Sequence, residues 1–521
     1  MRIWKNLALL SALLPACAGA QTLTMALGGQ VTSLDPHYHS ASPNSAFGRT
    51  IFDRLTTTDA NARLHPGLAQ GWRMVDPTTW EFRLRPDVKF HNGQAFSADD
   101  VVFTFDRIPT IVNSPGPYTS YTRAIARVEV VDPLTIRIVT HGPSPLLPLM
   151  MSQIAILDRE THAQMRTEDF NAGRALVGTG PFRYVAGDNL NGIRLARNDA
   201  YWGDKPDWAE VDYRIVPNNA ARMAALLAGD VDLIDQVPSG DLPRLRAAPQ
   251  FAVVSAVGLR LMYINIDHSR TGAPVFITDV AGQPLAANPL KDARVRRALS
   301  LAIDRQALVD RVMDGAALAS LQFMPPDTFG YTPDLVAPPA DAAAARRLLA
   351  EAGYPDGFRI TLHGSNNRFP NDARVVQAIG QMWTRIGVQT AVEVMPYGPF
   401  VTRASRQEFA AFLGTWGSAG EPGLGMTNAL ATWDRARGTG SINRGRYSNP
   451  ALDAALADAV AEMDDGAREA KLQQVMRDIV ADMPILPLYI QKNIWAVRKP
   501  IAYAGRADEL TLPQEARTGA R

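Results

Sequence analysis

Residues 67–107 read GLAQGWRMVDPTTWEFRLRPDVKFHNGQAFSADDVVFTFDR, and three local signals follow one another in them. Trp80, Phe82 and Leu84 alternate with Thr79, Glu81, Arg83 and Arg85, the period of two of a strand with one buried and one wet face. Asn92-Gly93 marks a tight turn, since both residues accept positive φ at low cost. Ser97 stands three residues before Asp100, the spacing at which hydroxyl and carboxylate cap the free amides of a helix through Val101, Val102 and Phe105. The stretch is therefore expected to fold as strand, turn and capped helix.

Outward from it, 521 residues are too many for one core at roughly 100 to 200 residues per domain, so two or three compact units are expected. Residues 1–20 differ from the rest: Arg2 and Lys5 precede the apolar LALLSALLPACAGA, which closes on Ala18-Gly19-Ala20. This is the order of an export signal, with cleavage expected before Gln21 and a periplasmic destination. The only cysteine, Cys17, lies inside that signal. Lipoprotein anchoring at Cys17 is the alternative, although Pro15 fits the small-residue pattern poorly. Simple release leaves no thiol for disulfides, nucleophiles or metals. It also leaves 51 basic against 52 acidic residues, a balance that gives no footprint for nucleic acid.

Along the chain, Leu23–Leu27 reads as a strand and Ser33–His39 as a loop. Val128–Val131 and Leu134–Val139 form a second hairpin signal about Asp132-Pro133. Ile193–Ala196 and Val211–Val216 are expected as strands, followed by a helix capped by Asn218 or Asn219 and ended by Gly229. Leu261–Asp267 is another strand. Helices are expected from the Asp292 cap to near Gly315, over Asp341–Gly353, along the stripe Val375, Val376, Ile379, Met382, Trp383 and Ile386, after Asn449-Pro450, and over Lys471–Met483. Early hairpins and later alternation of helix and strand indicate an α/β protein with mixed sheets.

The wording "GLA…W…WEFRLRPDVKFHNGQAFSADDVVFTFDR", with "GTGPF", "RNDAYWG" and "ALLAGDVDLI" further on, resembles the family 5 extracellular solute-binding proteins of ABC importers, which include oligopeptide- and dipeptide-binding members. The resemblance implies a two-lobed periplasmic binding protein fold, type II and cluster C-like, with a hinged cleft. Residues 21–52, 181–265 and 485–521 would form a discontinuous first lobe, 53–180 its inserted domain, and 266–484 the second lobe. It also implies a monomeric receptor that takes a peptide or peptide-like small solute and delivers it to membrane permease subunits backed by ATPase subunits. A nickel chelate, an opine or an oligosaccharide is the alternative cargo.

The sequence carries no His-Glu-x-x-His, Gly-x-Ser-x-Gly or phosphate-cradling Gly-Lys-Ser/Thr motif. No enzyme, cofactor or metal is therefore expected, and an exported hydrolase with paired cleft carboxylates is the distant alternative. His37 and His39 lack a third ligand at metal-site spacing and read as loop histidines. The candidate binding residues lie in two segments. Thr415-Trp416 followed by Glu421 resembles the family's ligand-facing strand end, but Ala419 stands where peptide-binding members carry an aspartate for the α-amino group. The alternative roles are a core aromatic for Trp416 and a turn residue for Glu421. Asn366, Asn367 and Arg368 precede a helix amino terminus suited to an anionic group, or form a plain capped loop. His39, Ser40 and Asn44 are further candidates from the opposite lobe.

Overall fold

Two long antiparallel strands, Phe251–Ile266 and Ile485–Arg498, run side by side through the molecule and belong to both of its lobes. The computed structural model describes residues 21–519, so the export segment and Cys17 lie outside the described residues. One end of the strand pair continues through Leu233–Ile234, Thr22–Leu27, Glu210–Ile215, Gly192–Arg197 and Phe182–Asp188. The other continues through Ala411–Gly417, Phe358–Ser365 and Ile277–Thr278, with Val388–Met395 beside Phe358–Ser365 and Ala317–Ala319 beside Ile485–Arg498. All twelve strands form one hydrogen-bonded sheet with separate apolar cores at its two ends.

The ladder breaks step midway. Val257 pairs with Lys492, the next regular pair is Leu261 with Ile490, and Gly258 bulges between them. A Cβ on Gly258 would lie 2.5 Å from the Gln491 carbonyl oxygen, so only glycine permits this approach. The C-terminal segment braces the crossing: Leu259 N donates to Ala507 O at 3.1 Å, and Asn493 Nδ2 donates to Arg506 O at 2.9 Å.

The second-lobe core follows the expected helical stripe. Helix Asp372–Thr384 buries Val375, Val376, Ile379 and Trp383, each worth roughly 1.5–3 kcal/mol of burial, and Trp383 Nε1 donates to Leu299 O at 3.0 Å. The stretch 67–107 lies in a smaller unit, a four-stranded sheet of Ala69–Asp76, Thr79–Leu84, Thr135–Thr140 and Ile125–Asp132 packed on helix Ala98–Arg107. Phe82 and Leu84 are buried there, and Asp100 Oδ2 accepts from Ser97 N at 2.8 Å, as the cap spacing requires.

Two elements differ from expectation. The strand expected over Leu261–Asp267 begins ten residues earlier, at Phe251, because Gly258 and Arg260 interrupt its apolar pattern. The helix expected from Asp292 to Gly315 stops at Leu301, and Asp304 caps a new turn by accepting from Ala307 N at 2.9 Å.

The loop Ser33–His39 fastens the small unit to the large sheet. Asp35, fully buried, accepts from Arg107 Nη2 at 2.7 Å and Nη1 at 3.1 Å, and from Thr167 Oγ1 at 2.7 Å. His37 Nε2 lies 2.8 Å from Ala155 O, and burial together with the Arg107 charge holds His37 down to about 4, so it is neutral at pH 7. Removing one partner of such a pair leaves a buried charge uncompensated. Asp35→Ala is therefore expected to cost about 3–5 kcal/mol in thermal or urea unfolding of the full chain. Arg73→Ala, which breaks the exposed Arg73–Glu81 pair, is expected to leave unfolding unchanged within error.

Candidate functional site

A cavity partly open to solvent lies where the strand pair passes from one lobe to the other. The first lobe contributes Asp235, Gln236 and Ser239, and the helix Ser42–Ile51 contributes its first turn. The second lobe contributes Arg368, Phe369 and Pro370. Arg260 and Asn493 rise from the long strands, and Glu509 enters from the C-terminal segment. Apolar and aromatic walls with a few convergent charges are the usual makeup of a small-molecule site.

Within it, Arg260 and Glu509 form a two-pronged pair, Nη2 to Oε1 at 2.6 Å and Nε to Oε2 at 3.1 Å, and Ser42 Oγ donates to Oε1 at 2.5 Å. Burial pushes the Glu509 carboxyl up, but Arg260 and Ser42 outweigh it and bring it down to about 2. The Arg260 guanidinium also lies 5.6 Å from the Phe369 ring. Arg368, 4.8 Å above the same ring, makes no ion pair among the described residues. Its loop is folded back by Asp372, whose Oδ2 accepts from Ser365 Oγ at 2.6 Å and from Arg368 N at 3.2 Å.

Across the cavity, Asp235 Oδ1 accepts from Gly28 N at 2.7 Å, while Oδ2 has no hydrogen-bond partner among the described residues. Burial pushes this carboxyl up to about 6, against the opposing pull of Arg222 at 3.8 Å. Next to it Gln236 holds a left-handed φ of 47°, and Asn371 on the facing loop one of 56°. Such strain in residues other than glycine concentrates at binding sites and hinges. Asn371 Nδ2 reaches Ser239 Oγ at 2.8 Å, a direct contact between the lobes.

The expected residues fall in several places. Arg368 lines the cavity. Asn366 and Asn367 are exposed on its loop, where Asn367 Oδ1 accepts from Tyr397 N at 2.9 Å. Thr415 Oγ1 is spent on Leu261 O at 2.9 Å. Trp416 is half-buried beside Gly425, whose lack of a side chain makes room for the indole, and its Nε1 is sealed without a partner. Glu421, 5% exposed, starts helix Pro422–Ala429 and lines a neighbouring groove. Its Oε1 has no partner, and burial raises its carboxyl. His39 Nδ1 meets Thr32 Oγ1 at 2.8 Å, and Ser40 N donates to Gly116 O at 2.9 Å. Asn44 is buried, with Nδ2 donating to Ser33 O at 2.9 Å and Oδ1 facing Thr32. Sequence reasoning passed over Arg260, Asp235 and Glu509. Of these only Arg260 carries a local signal, a charge inside an otherwise apolar strand.

The sequence profile of the bacterial extracellular solute-binding proteins, family 5 Middle, matches residues 63–437. The di/tripeptide-binding protein 1 of Pseudomonas aeruginosa is 28% identical, over 95% of this chain and 96% of its own. The heme-binding protein A of Haemophilus influenzae is 29% identical, over 86% and 82% respectively. The periplasmic binding protein DppA of Helicobacter pylori, solved with the peptide STSA, shares the fold at a TM-score of 0.80 and 22% identity, over 96% of this chain and 98% of that one. The chain belongs to the bacterial extracellular solute-binding proteins of family 5.

Proposed function

We propose that the chain is the periplasmic substrate-binding protein of an ABC transporter, exported by its first twenty residues. It captures a peptide or peptide-like small solute between its lobes and presents the closed form to membrane permease subunits. It acts as a monomer and catalyses no reaction. One observation carries this reading: a single cavity holds two charges of opposite sign with hydrogen-bonding capacity to spare, Asp235 from the first lobe, paired only loosely with Arg222 at 3.8 Å, and Arg368 from the second, without an ion-pair partner among the described residues. A ligand bearing an amine and a carboxylate satisfies both at once, and only when the lobes are together. Similarity to a di/tripeptide-binding protein supports the cargo class. The proposed pivot is the bulge at Gly258 opposite Gln491, with residues 53–180 riding on the first lobe. Among the described residues no helix is long and apolar enough to cross a membrane.

Ala419, in place of the aspartate of peptide-binding members, favours a second reading in which the same receptor takes a non-peptide solute with an anionic group. Similarity to a heme-binding protein supports that breadth. Trp416, Thr415 and Glu421 lie outside the interlobe cavity; Glu421, which lines the neighbouring groove, is the second acid proposed for a ligand amine.

Calorimetry with a dipeptide panel, each member also N-acetylated or C-amidated, tests the assignment. Arg368→Gln is expected to weaken binding of free-carboxylate forms about 10–100-fold and to abolish discrimination against the amides. Asp235→Asn is expected to do the same for the free amine, whereas loss of that preference in Glu421→Gln alone would move the amine site to Glu421. A ligand at about 100 times its dissociation constant raises stability by roughly 2.7 kcal/mol. Flat thermal unfolding across peptide, sugar and metal-chelate libraries would remove the receptor reading.

A pH series isolates the Arg260–Glu509 pair. Because the folded Glu509 carboxyl sits at about 2 against an ordinary 4.5, its stabilisation is complete above pH 4.5 and is lost as the pH falls towards 2. The difference in melting temperature between wild type and Glu509→Gln is expected to be largest at pH 5 and above and to shrink steadily below 4.5.

A further inference from the structure

The helix Ser42–Ile51 touches a second cavity with its other end. This space, of about 320 Å³ and partly open to solvent, shares no lining residue with the interlobe cavity. Arg49, Arg54 and Arg506 line it, with Trp202, Gln514 and Glu515. Arg49 is 6% and Arg54 4% exposed, and neither forms an ion pair among the described residues. Of the acids that line the space, Asp204 is exposed, and Asp53 and Glu515 are engaged by other donors. Asp53 accepts from Trp202 Nε1 at 2.8 Å, Thr179 Oγ1 at 3.0 Å and Tyr201 Oη at 3.2 Å. Glu515 is bound to Arg506, which also holds Asp508 at 2.6 Å.

Two guanidinium groups bring ten N–H donors between them. Three hydrogen bonds use them: Arg49 Nη1 to Thr57 Oγ1 at 3.3 Å, Arg49 Nη2 to Ser152 O at 2.8 Å, and Arg54 Nη1 to Phe52 O at 2.9 Å. Both Nε atoms are sealed without a partner, and Arg54 Nη2 has none either. Burial and the adjacent Arg49 charge bring the Arg54 guanidinium down to about 9. Arg49 and Arg54 are neighbouring buried cations offset only at a distance, by Asp508 and Glu515 for Arg49 and by Asp53 for Arg54, none of which bonds to either guanidinium; a resident anion in direct contact lowers the remaining cost. Braces to three backbone or hydroxyl oxygens need no second positive charge, so bracing alone leaves the pair unexplained.

We propose that this cavity is a second binding site, separate from the interlobe cleft, in which Arg49 and Arg54 hold a small oxyanion such as phosphate, sulfate or a carboxylate. Arg54 contributes the open Nη2, and Arg49 supplies charge from the end of the helix whose first turn lines the cleft.

Equilibrium dialysis of the full chain with labelled inorganic phosphate tests it, alongside thermal unfolding in phosphate, sulfate or acetate at an ionic strength matched with sodium chloride. The expected result is near 1:1 binding of at least one oxyanion and a rise in melting temperature of a few degrees over chloride. The anion giving the largest rise distinguishes tetrahedral from planar chemistry. Arg54→Gln is expected to weaken that binding tenfold or more and, in chloride alone, to melt no lower than wild type, because it removes the repulsion with Arg49. Arg368→Gln, altered in the cleft, is expected to keep the response. Arg54→Lys, which retains charge but loses the planar fork, gives an intermediate affinity and replaces Arg54→Gln if that variant does not fold. Absence of binding by all three oxyanions overturns the proposal, as does a response lost in Arg368→Gln and retained in the Arg54 variants.

Discussion

Everything in this molecule that concerns binding depends on one shared hydrogen-bond ladder, that of Phe251–Ile266 with Ile485–Arg498. Its two halves sit in different cores: Met262, Ile264, Leu486 and Leu488 pack with the second lobe, Trp495 and Val497 with the first. A regular ladder this long would join the lobes stiffly. The bulge at Gly258 replaces regular pairs by one irregular step where the strands pass the cavity, and the segment carrying Ala507 and Glu509 crosses at the same point. The proposed pivot therefore falls where regular pairing is broken, at Gly258 and again between Met262 and Tyr263.

That concentration explains why the cavity is built as it is. Arg260 is two residues beyond Gly258, Asn493 two beyond Gln491, and Glu509 two beyond Ala507. The Arg260–Glu509 pair therefore belongs to the crossing itself. Ser42 ties it to the first lobe and the Phe369 ring brings it against the second. Arg368 and Asp235 lie farther along the walls: Arg368 has no ion-pair partner among the described residues, and Asp235 has only Arg222 at 3.8 Å.

Much of the scaffold was legible in the sequence because its signals are local. Ser97 with Asp100, Asn218 with Ala221 N, and the stripe ending at Trp383 depend only on spacing along one element. The long strand was half hidden, since Gly258 and Arg260 break an apolar pattern for reasons that lie in the partner strand. The cavity was least legible. Arg368 stood out in a polar loop, but Asp235 follows an ordinary strand and Glu509 an unpatterned tail, and only folding brings the three together from positions more than a hundred residues apart. Asn44 shows the converse: a polar residue in a promising segment whose amide is used to hold its own loop.

The charges on the two walls also bear on how the proposed receptor would respond to cargo. Apart, the two lobes leave Asp235 and Arg368 to water, and neither costs much. With the walls in contact, Asp235 is buried with only Arg222 at 3.8 Å to offset it while Arg368 stays exposed, so the desolvation cost falls chiefly on Asp235. A cargo with complementary groups repays the desolvation on both walls in one step, in a setting where short-range charge contacts are stronger than in water. On the proposed reading, cargo that meets both charges favours closure, with the bulge at Gly258 as the proposed pivot.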